Sequence, residues 1–413
     1  MNRVVVTGIG IVVPGSVGKD QLWGNMASGR VFTGQVEGID CKDLRIQIAG
    51  EIKNFNKEKY LENKNNINVK QLGRAESLGL TALKMAIEDS KIDIENEENI
   101  SLAAGMTMTN MMQLMMREQQ KVKEILATID NQNIKDIENI APVSILSLMC
   151  KYFNLKTPIA RIFTNACAAS NYSISWGYDN IKKGISNVAL VGGVESLSLV
   201  ALMGFNRLLS LTPDVCRPFS KNRRGLIVSE GAAFLVLEKM QSAKRRGAHI
   251  YGEIKGYGLG VDAYHITAPR ADAAGAIDSI NGALKMANLS PSEIDYVSAH
   301  GTGTALNDKT EVKALKTIFK DKVPPTSSIK SMIGHTLGVA GAVGAVCSLL
   351  MMENNEAMPT ANFEQKDENC NIDCIPNNGR KMQINNVISN AFAFGGNNSC
   401  IAFSKLKKGD SNE

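Results

Sequence analysis

Short apolar runs, each breaking into a turn, alternate along the whole chain with stretches whose apolar residues recur at helical spacing. That alternation limits the fold to an α/β architecture, because strands and helices of this kind bury their apolar faces against one another. Arg3–Thr7, Ile162–Asn165, Val188–Gly192 and Ala232–Leu237 read as strands in the first half. Tyr251–Gly256, Asp295–Ala299, Asn386–Asn390 and Asn398–Phe403 read as strands in the second. Ala75–Ser90, Ser170–Lys183, Asp272–Ala287 and Thr310–Phe319 read as helices. Similar element counts on either side of 246–251 suggest a duplicated unit, although no identity between the halves is visible. No Pro/Ser linker divides the 413 residues, so both halves are expected in one compact body, with only 407–413 as a frayed tail. A chain that is 44% hydrophobic with 36 glycines suits an enzyme with a large core and many tight turns.

Several classes are excluded. Leu337 to Met352 carries no charge, but it is Gly/Ala-rich and too short to span a bilayer comfortably. A buried helix is expected there, and no membrane span. The N-terminus enters a strand at once without a signal-peptide pattern. The eight cysteines show no paired spacing beyond Cys370 and Cys374, which suits free thiols in a reducing cytoplasm. Net charge is +5, with small basic groups at 221–224 and 244–246 and no block dense enough for nucleic acid. A local basic patch for an acidic partner stays open. Thr7-Gly8-Ile9-Gly10 follows a strand as a dinucleotide loop would, but Val13 replaces the third glycine and Pro14 would disrupt the helix start.

One thiol stands apart. Cys167 sits in Ile-Phe-Thr-Asn-Ala-Cys-Ala-Ala-Ser (162–170), an apolar strand that breaks into small residues, the pattern of a nucleophile elbow. A following helix would point its N–H groups at the sulfur, shifting a thiol whose ordinary pKa is about 8.5. Alone, such a cysteine reads equally as a small buried hydrophobe. Three islands weigh against that. His300 opens His-Gly-Thr-Gly-Thr, followed by a helix carrying Asp308 and Glu311. Lys330 lies five residues before His335, in Lys-Ser-Met-Ile-Gly-His. A strand ends in Phe392-Ala-Phe394-Gly-Gly. Two of the four histidines thus begin glycine-flanked turns beside strands. Thr302 and Thr304 remain open as helix caps, Phe392 and Phe394 as core aromatics, and Met106, Met108, Met111, Met112, Met115 and Met116 as adaptable filling.

Taken together, these motifs resemble the β-ketoacyl-acyl-carrier-protein synthase family, type II. Val-Val-Val-Thr-Gly-Ile-Gly, Gly-Gly-Val-Glu-Ser (192–196), Arg-Pro-Phe (217–219), Ser-Glu-Gly-Ala (229–232) and Asp-Ala-Tyr-His-Ile-Thr (262–267) extend the resemblance along the whole chain. It implies a thiolase-like duplicated αβαβα layered fold, with a nucleophile half at 1–250 and a histidine half at 251–413. It implies that Cys167 accepts an acyl group from a carrier thioester, and that a malonyl-carrier then loses CO₂ and attacks it. His300 and His335 would stabilise the enolate, with Lys330 beside them. The backbone N–H groups of Cys167 and Phe394 would form the oxyanion hole, and Phe394 would gate the site. Thr267, Thr302 and Thr304 would touch the phosphopantetheine arm, and Met108 would wall the acyl tunnel across a dimer interface. Arg74 and Arg217 would dock the acyl carrier protein. The resemblance implies no metal and no organic cofactor, and either a homodimer or a heterodimer with a chain-length-factor-like subunit.

The chain also departs from the pattern. Ala305 stands in place of a proline, Ser220 in place of an aspartate, and Gly344 in place of a glutamate paired with the lysine. These departures suggest a specialised type II polyketide or polyene pathway, with fatty-acid elongation as the alternative. A silent chain-length subunit would lack the nucleophile, and a thiolase would use a second cysteine, for which only Cys400 offers a position. Without the glutamate, Lys330 is expected to pair with Glu311 while Asp308 holds the loop, the space at Gly344 being filled by water or closer packing.

Overall fold

The computed structural model describes residues 2–108, 142–156 and 158–406. Ten principal strands are β1 Val4–Val13, β2 Ile100–Gly105, β3 Ile159–Phe163, β4 Val188–Glu195, β5 Gly231–Lys239, β6 Gly252–Val261, β7 Tyr296–Ser298, β8 Thr326–Ser327, β9 Asn386–Phe392 and β10 Asn397–Ser404. Seven principal helices are α1 Arg74–Ser90, α2 Pro142–Tyr152, α3 Ala169–Lys183, α4 Leu199–Arg207, α5 Ala274–Ala287, α6 Ala305–Phe319 and α7 Ala340–Asn354. The expected elements are present, most of them extended by a few residues.

The two halves repeat one topology. The first orders its strands β3-β2-β4-β5-β1 and the second β8-β7-β9-β10-β6. In each half three parallel strands are followed by an antiparallel pair, so the order third-second-fourth-fifth-first recurs. Antiparallel pairing of Val4–Val6 with Gly252–Ile254 joins them. Helix α1 covers one sheet's outer face and α5 the other's, while α3 and α7 lie between the sheets. This is the αβαβα layering expected.

Sequence explains the placement. Every residue of β1 is buried, as its unbroken apolar run requires of a strand covered on both faces. Its Thr-Gly-Ile-Gly segment continues the strand; a Cβ at Gly10 would meet the Ala82 carbonyl oxygen at 1.8 Å, so the glycine admits α1 against the sheet. Helix α7 is buried all round from Ala340 to Met352, as expected of the uncharged Gly/Ala segment. All eight cysteines are free thiols. Met106 is buried and Met108 half-buried, whereas Met111, Met112, Met115 and Met116 lie outside the described residues.

Candidate active site

Strand β3 delivers the chain to Asn165, and a single turn at Ala166–Ala168 carries Cys167 into the start of α3. Ala166 has φ +45°, a left-handed backbone uncommon in a residue with a side chain, which gives the elbow its sharp bend. The second half repeats the device. After His335, Leu337 takes φ +49° and the turn Leu337–Val339 opens α7. Ser170 Oγ accepts from Ala342 N at 2.9 Å, joining the first turns of the two helices. Topology therefore brings Cys167 and His335, 168 positions apart in sequence, to one point.

His300 comes from the end of β7, its ring centroid 5.1 Å from that of His335 at 82°. Cys167, His300 and His335 are all buried and all reach one cavity of about 380 Å³. Thr267, Thr302, Thr304 and Phe394 line the same cavity. The backbone N–H groups of Phe394 and of Cys167 act on the sulfur, each lowering the thiol's pKa. Gly395, φ +79°, makes the turn possible, and its N–H donates to Ile266 O at 2.7 Å. Thr304 occupies the N-cap position of α6, yet its hydroxyl bonds Thr302 Oγ1 at 2.9 Å and caps nothing.

Burial pushes the Cys167 thiol up to about 12, with Lys330 pulling it down and Glu195 pushing it further up. Burial first, then the charge of Lys330, holds both histidines well below the usual imidazole value. Both rings are therefore neutral at neutral pH. His335 Nδ1 accepts from Leu337 N at 3.3 Å, which leaves the proton on Nε2 as a donor. His300 Nδ1 has no hydrogen-bond partner among the described residues.

The expected Lys330–Glu311 contact pair is not formed. Among the described residues no carboxylate oxygen lies within 4.0 Å of Lys330 Nζ. Glu311 instead accepts from His300 N and Gly301 N, both at 2.8 Å, and from Asn390 Nδ2 at 3.2 Å. Two preorganised backbone donors outcompete a flexible ammonium for those oxygens. Glu311 still acts on Lys330 as the strongest influence raising its pKa, against a larger lowering by burial. Asp308 accepts from Gly303 N at 3.2 Å and Phe219 N at 2.8 Å, with Arg223 3.7 Å away. Gly344 faces Ser389 and Ser298: a Cβ there would stand 3.0 and 3.6 Å from their hydroxyl oxygens.

Lys330, Met108, Arg74 and Arg217 do not line the cavity. Arg74 is paired with Glu230 at 2.6 Å, and Arg217 lies between Asp214 and Glu364, each at 2.8 Å. Phe205, whose ring centroid is 5.8 Å from that of Phe394, was not anticipated because nothing local marks it out. His265 was legible in Asp-Ala-Tyr-His-Ile-Thr; it lines the mouth, and its Nδ1 accepts from Thr267 N and Ala268 N, both at 3.1 Å. Among the described residues no three His, Cys, Asp or Glu side chains gather in a metal-ligating group.

Residues 1–243 match the family described as "Beta-ketoacyl synthase, N-terminal domain" and residues 251–364 its "C-terminal domain". The chain is 32% identical to 3-oxoacyl-[acyl-carrier-protein] synthase 2 of Staphylococcus aureus (strain N315), covering 98% of this chain and 99% of that protein. Among solved structures, "The ishigamide ketosynthase/chain length factor" superposes with TM-score 0.89 at 33% identity, covering 98% of this chain and 100% of that one. A second, "type II PKS acyl-carrier protein in complex with its ketosynthase bound to the hexaketide", gives TM-score 0.86 at 29% identity with the same coverage.

Proposed function

This chain belongs to the β-ketoacyl synthase family, and from that premise we propose how its residues carry out acyl-carrier-dependent decarboxylative condensation. The Cys167 sulfur attacks an acyl-carrier thioester; its S–C bond forms, the carrier's C–S bond breaks, and the thiol proton passes to the departing pantetheine thiol. A malonyl-carrier then enters the freed channel. Its C–CO₂⁻ bond breaks, the electron pair becomes an enolate, and the enolate carbon attacks the Cys167-bound carbonyl. As the new C–C bond forms, the Cys167 S–C bond breaks and expels the thiolate, which takes a proton from solvent; β-ketoacyl-carrier and CO₂ leave.

The juxtaposition of two neutral imidazoles with a thiol in one cavity carries this reading. Each Nε2–H can donate to the enolate oxygen as charge develops, and such donors are typically worth ~3–4 kcal/mol. The N–H groups of Phe394 and Cys167 serve the acyl-transfer oxyanion. Thr267, Thr302 and Thr304 receive the phosphopantetheine arm, and no metal or organic cofactor takes part. Lys330 acts on the thiol and both rings through its charge. The half at 1–250 supplies the nucleophile and the half at 251–413 the imidazoles, in a cytoplasmic enzyme.

A partner subunit has a face to occupy. Among the described residues strand β3 pairs only with β2, none of them pairing with its other edge, and Ile159 on it is exposed. Beside it Phe163 lies 6.4 Å from both Tyr172 and Trp176 of α3. Such an edge next to an apolar patch suits a second copy or a chain-length-factor-like subunit. The ishigamide likeness and the departures at Ser220, Ala305 and Gly344 favour a specialised polyketide or polyene pathway. Identity to 3-oxoacyl-carrier synthases favours fatty-acid elongation as the second reading.

Mass spectrometry of carrier-bound product, after incubation with malonyl-carrier and a panel of acyl-carriers, tests both. Unreduced chains extended by several two-carbon units support the specialised reading, and a single extension of long saturated acyl groups supports fatty-acid elongation. Cys167→Ala should form no product, while Cys167→Gln should retain malonyl decarboxylation. Condensation by Cys167→Ala would overturn the mechanism.

A further inference from the structure

Gly-Gly-Val-Glu-Ser (192–196) ends strand β4, and its glutamate has no part in the chemistry above. Glu195 is fully buried. Its Oε2 accepts from Thr107 N at 2.8 Å, from Thr107 Oγ1 and from Gly338 N at 3.2 Å, and its Oε1 accepts from Met108 N at 2.7 Å. Burial pushes this carboxyl up, but three of its partners are N–H groups that can only donate, so the ionised form satisfies them. Thr107 and Met108 belong to the segment leaving β2, and Gly338 to the turn after His335. A Cβ at Gly338 would lie 2.7 Å from Met106 Cα, so these two segments meet backbone to backbone around the carboxylate. The Gly338 turn in turn packs against the turn bearing Cys167.

Met108 also reaches the cavity indirectly. Its side chain packs on an apolar cluster that includes Leu202, Leu226 and Leu337, on which Phe205 also rests. Leu226 and Phe205 line the cavity, and the Phe205 ring packs against Phe394 at a tilt of 32°.

We infer that Glu195 is a positioning residue that fastens the segment bearing Met108, which backs the cavity through the Leu226 and Phe205 cluster, to the turn behind His335, and thereby sets which acyl lengths the site accepts. This rests on reading the cavity as the acyl-transfer site. Glu195→Gln keeps the shape but offers one oxygen. Three donors meet Oε2 and one meets Oε1, so the amide oxygen takes the Oε2 position and its –NH₂ confronts Met108 N. The substitution therefore detaches Met108 selectively. Thr107→Val removes one donor with almost no change in shape and gives a second, milder variant.

The measurement is the rate of Cys167 acylation, read by intact-protein mass, from acyl-carriers of four to fourteen carbons. Glu195→Gln should change the ratio of long-chain to short-chain rates by about five-fold or more. Thr107→Val should move it less and in the same direction. A loss shared equally by all lengths, or an unchanged ratio in both variants, would overturn the assignment, because simple destabilisation slows every length alike. If the parent acylates at no length, the reading of the cavity itself fails, and the inference with it.

Discussion

Replacing Glu311 by glutamine preserves the shape of a buried side chain whose two oxygens each accept a backbone N–H bond of 2.8 Å. The amide has one oxygen, and Asn390 Nδ2 donates to the Oε1 position, which favours leaving the oxygen there. The new –NH₂ then faces Gly301 N, donor against donor. One hydrogen bond to a charged acceptor is lost, worth about 1.5–3 kcal/mol, and a buried N–H is left unpaired at about 1–3 kcal/mol. These overlap, so we expect a loss of about 3 kcal/mol. With melting entropy of about 2.1 cal/mol/K per residue over this length, that is a fall in Tm of roughly 3–4 °C. Gly301 follows His300 and is held at φ +35°, so its release lets the imidazole drift from its place 5.1 Å from His335. Lys330 also loses the strongest influence raising its pKa. Malonyl decarboxylation should fall about ten-fold or more, since a catalytic donor misplaced by about an ångström costs that much readily. Release of CO₂ from malonyl-carrier and differential scanning fluorimetry report the two effects. A variant melting within a degree of the parent and decarboxylating at the parental rate would refute the claim that this carboxylate fixes the His300 loop.

The two buried histidines make stability depend on pH with a definite sign. In the unfolded chain they take up protons near pH 6.5, while burial and Lys330 keep them neutral in the fold, so stability is present above that pH and lost as pH falls through it. As pH falls towards 5.5 the pair lowers stability, partly offset by buried Asp308 and Glu311, whose raised pKa values act in the opposite sense. Denaturant unfolding from pH 7.5 to 5.5 should show a steeper acid limb for the parent than for the His300→Asn/His335→Asn variant, and parallel limbs would contradict the neutral assignment. Gly344→Ala should change stability by less than about 1 kcal/mol, because the gain in helix propensity opposes a 3.0 Å contact with a rotatable Ser389 hydroxyl, and a loss of several kcal/mol would show that no space exists there.

What was legible in the sequence was what depends on near neighbours. Strands such as Val4–Val13 and helices such as Ala340–Asn354 declare themselves by period and by absence of charge, and the Cys167 elbow by its change from large to small residues. The repeat of strand order in the two halves was only suspected, because equivalent elements can pair alike without sharing identical residues. Arg74 and Arg217 were expected at a carrier-docking surface; each is already engaged by a carboxylate distant in sequence, Glu230 and Glu364 respectively. No local pattern announces such partners.

Lys330 shows most clearly where reading from sequence stops. A buried lysine requires compensating negative charge, and proximity in motif space pointed to Glu311. The requirement was read correctly, but the geometry of its answer was not. Glu311 sits on α6 one turn beyond Asp308, and the His300 loop folds back so that its amides meet that carboxylate first. The lysine is left to act through space, on Cys167, His300 and His335 together. That arrangement has a chemical consequence. An ammonium bonded to Glu311 would have its field largely cancelled by its partner, whereas one with no carboxylate in contact among the described residues pulls the thiol's pKa down and adds to burial in keeping both rings unprotonated. A neutral imidazole can donate Nε2–H to an enolate that is stabilised only as it forms, and burial together with the lysine charge keeps that donor neutral.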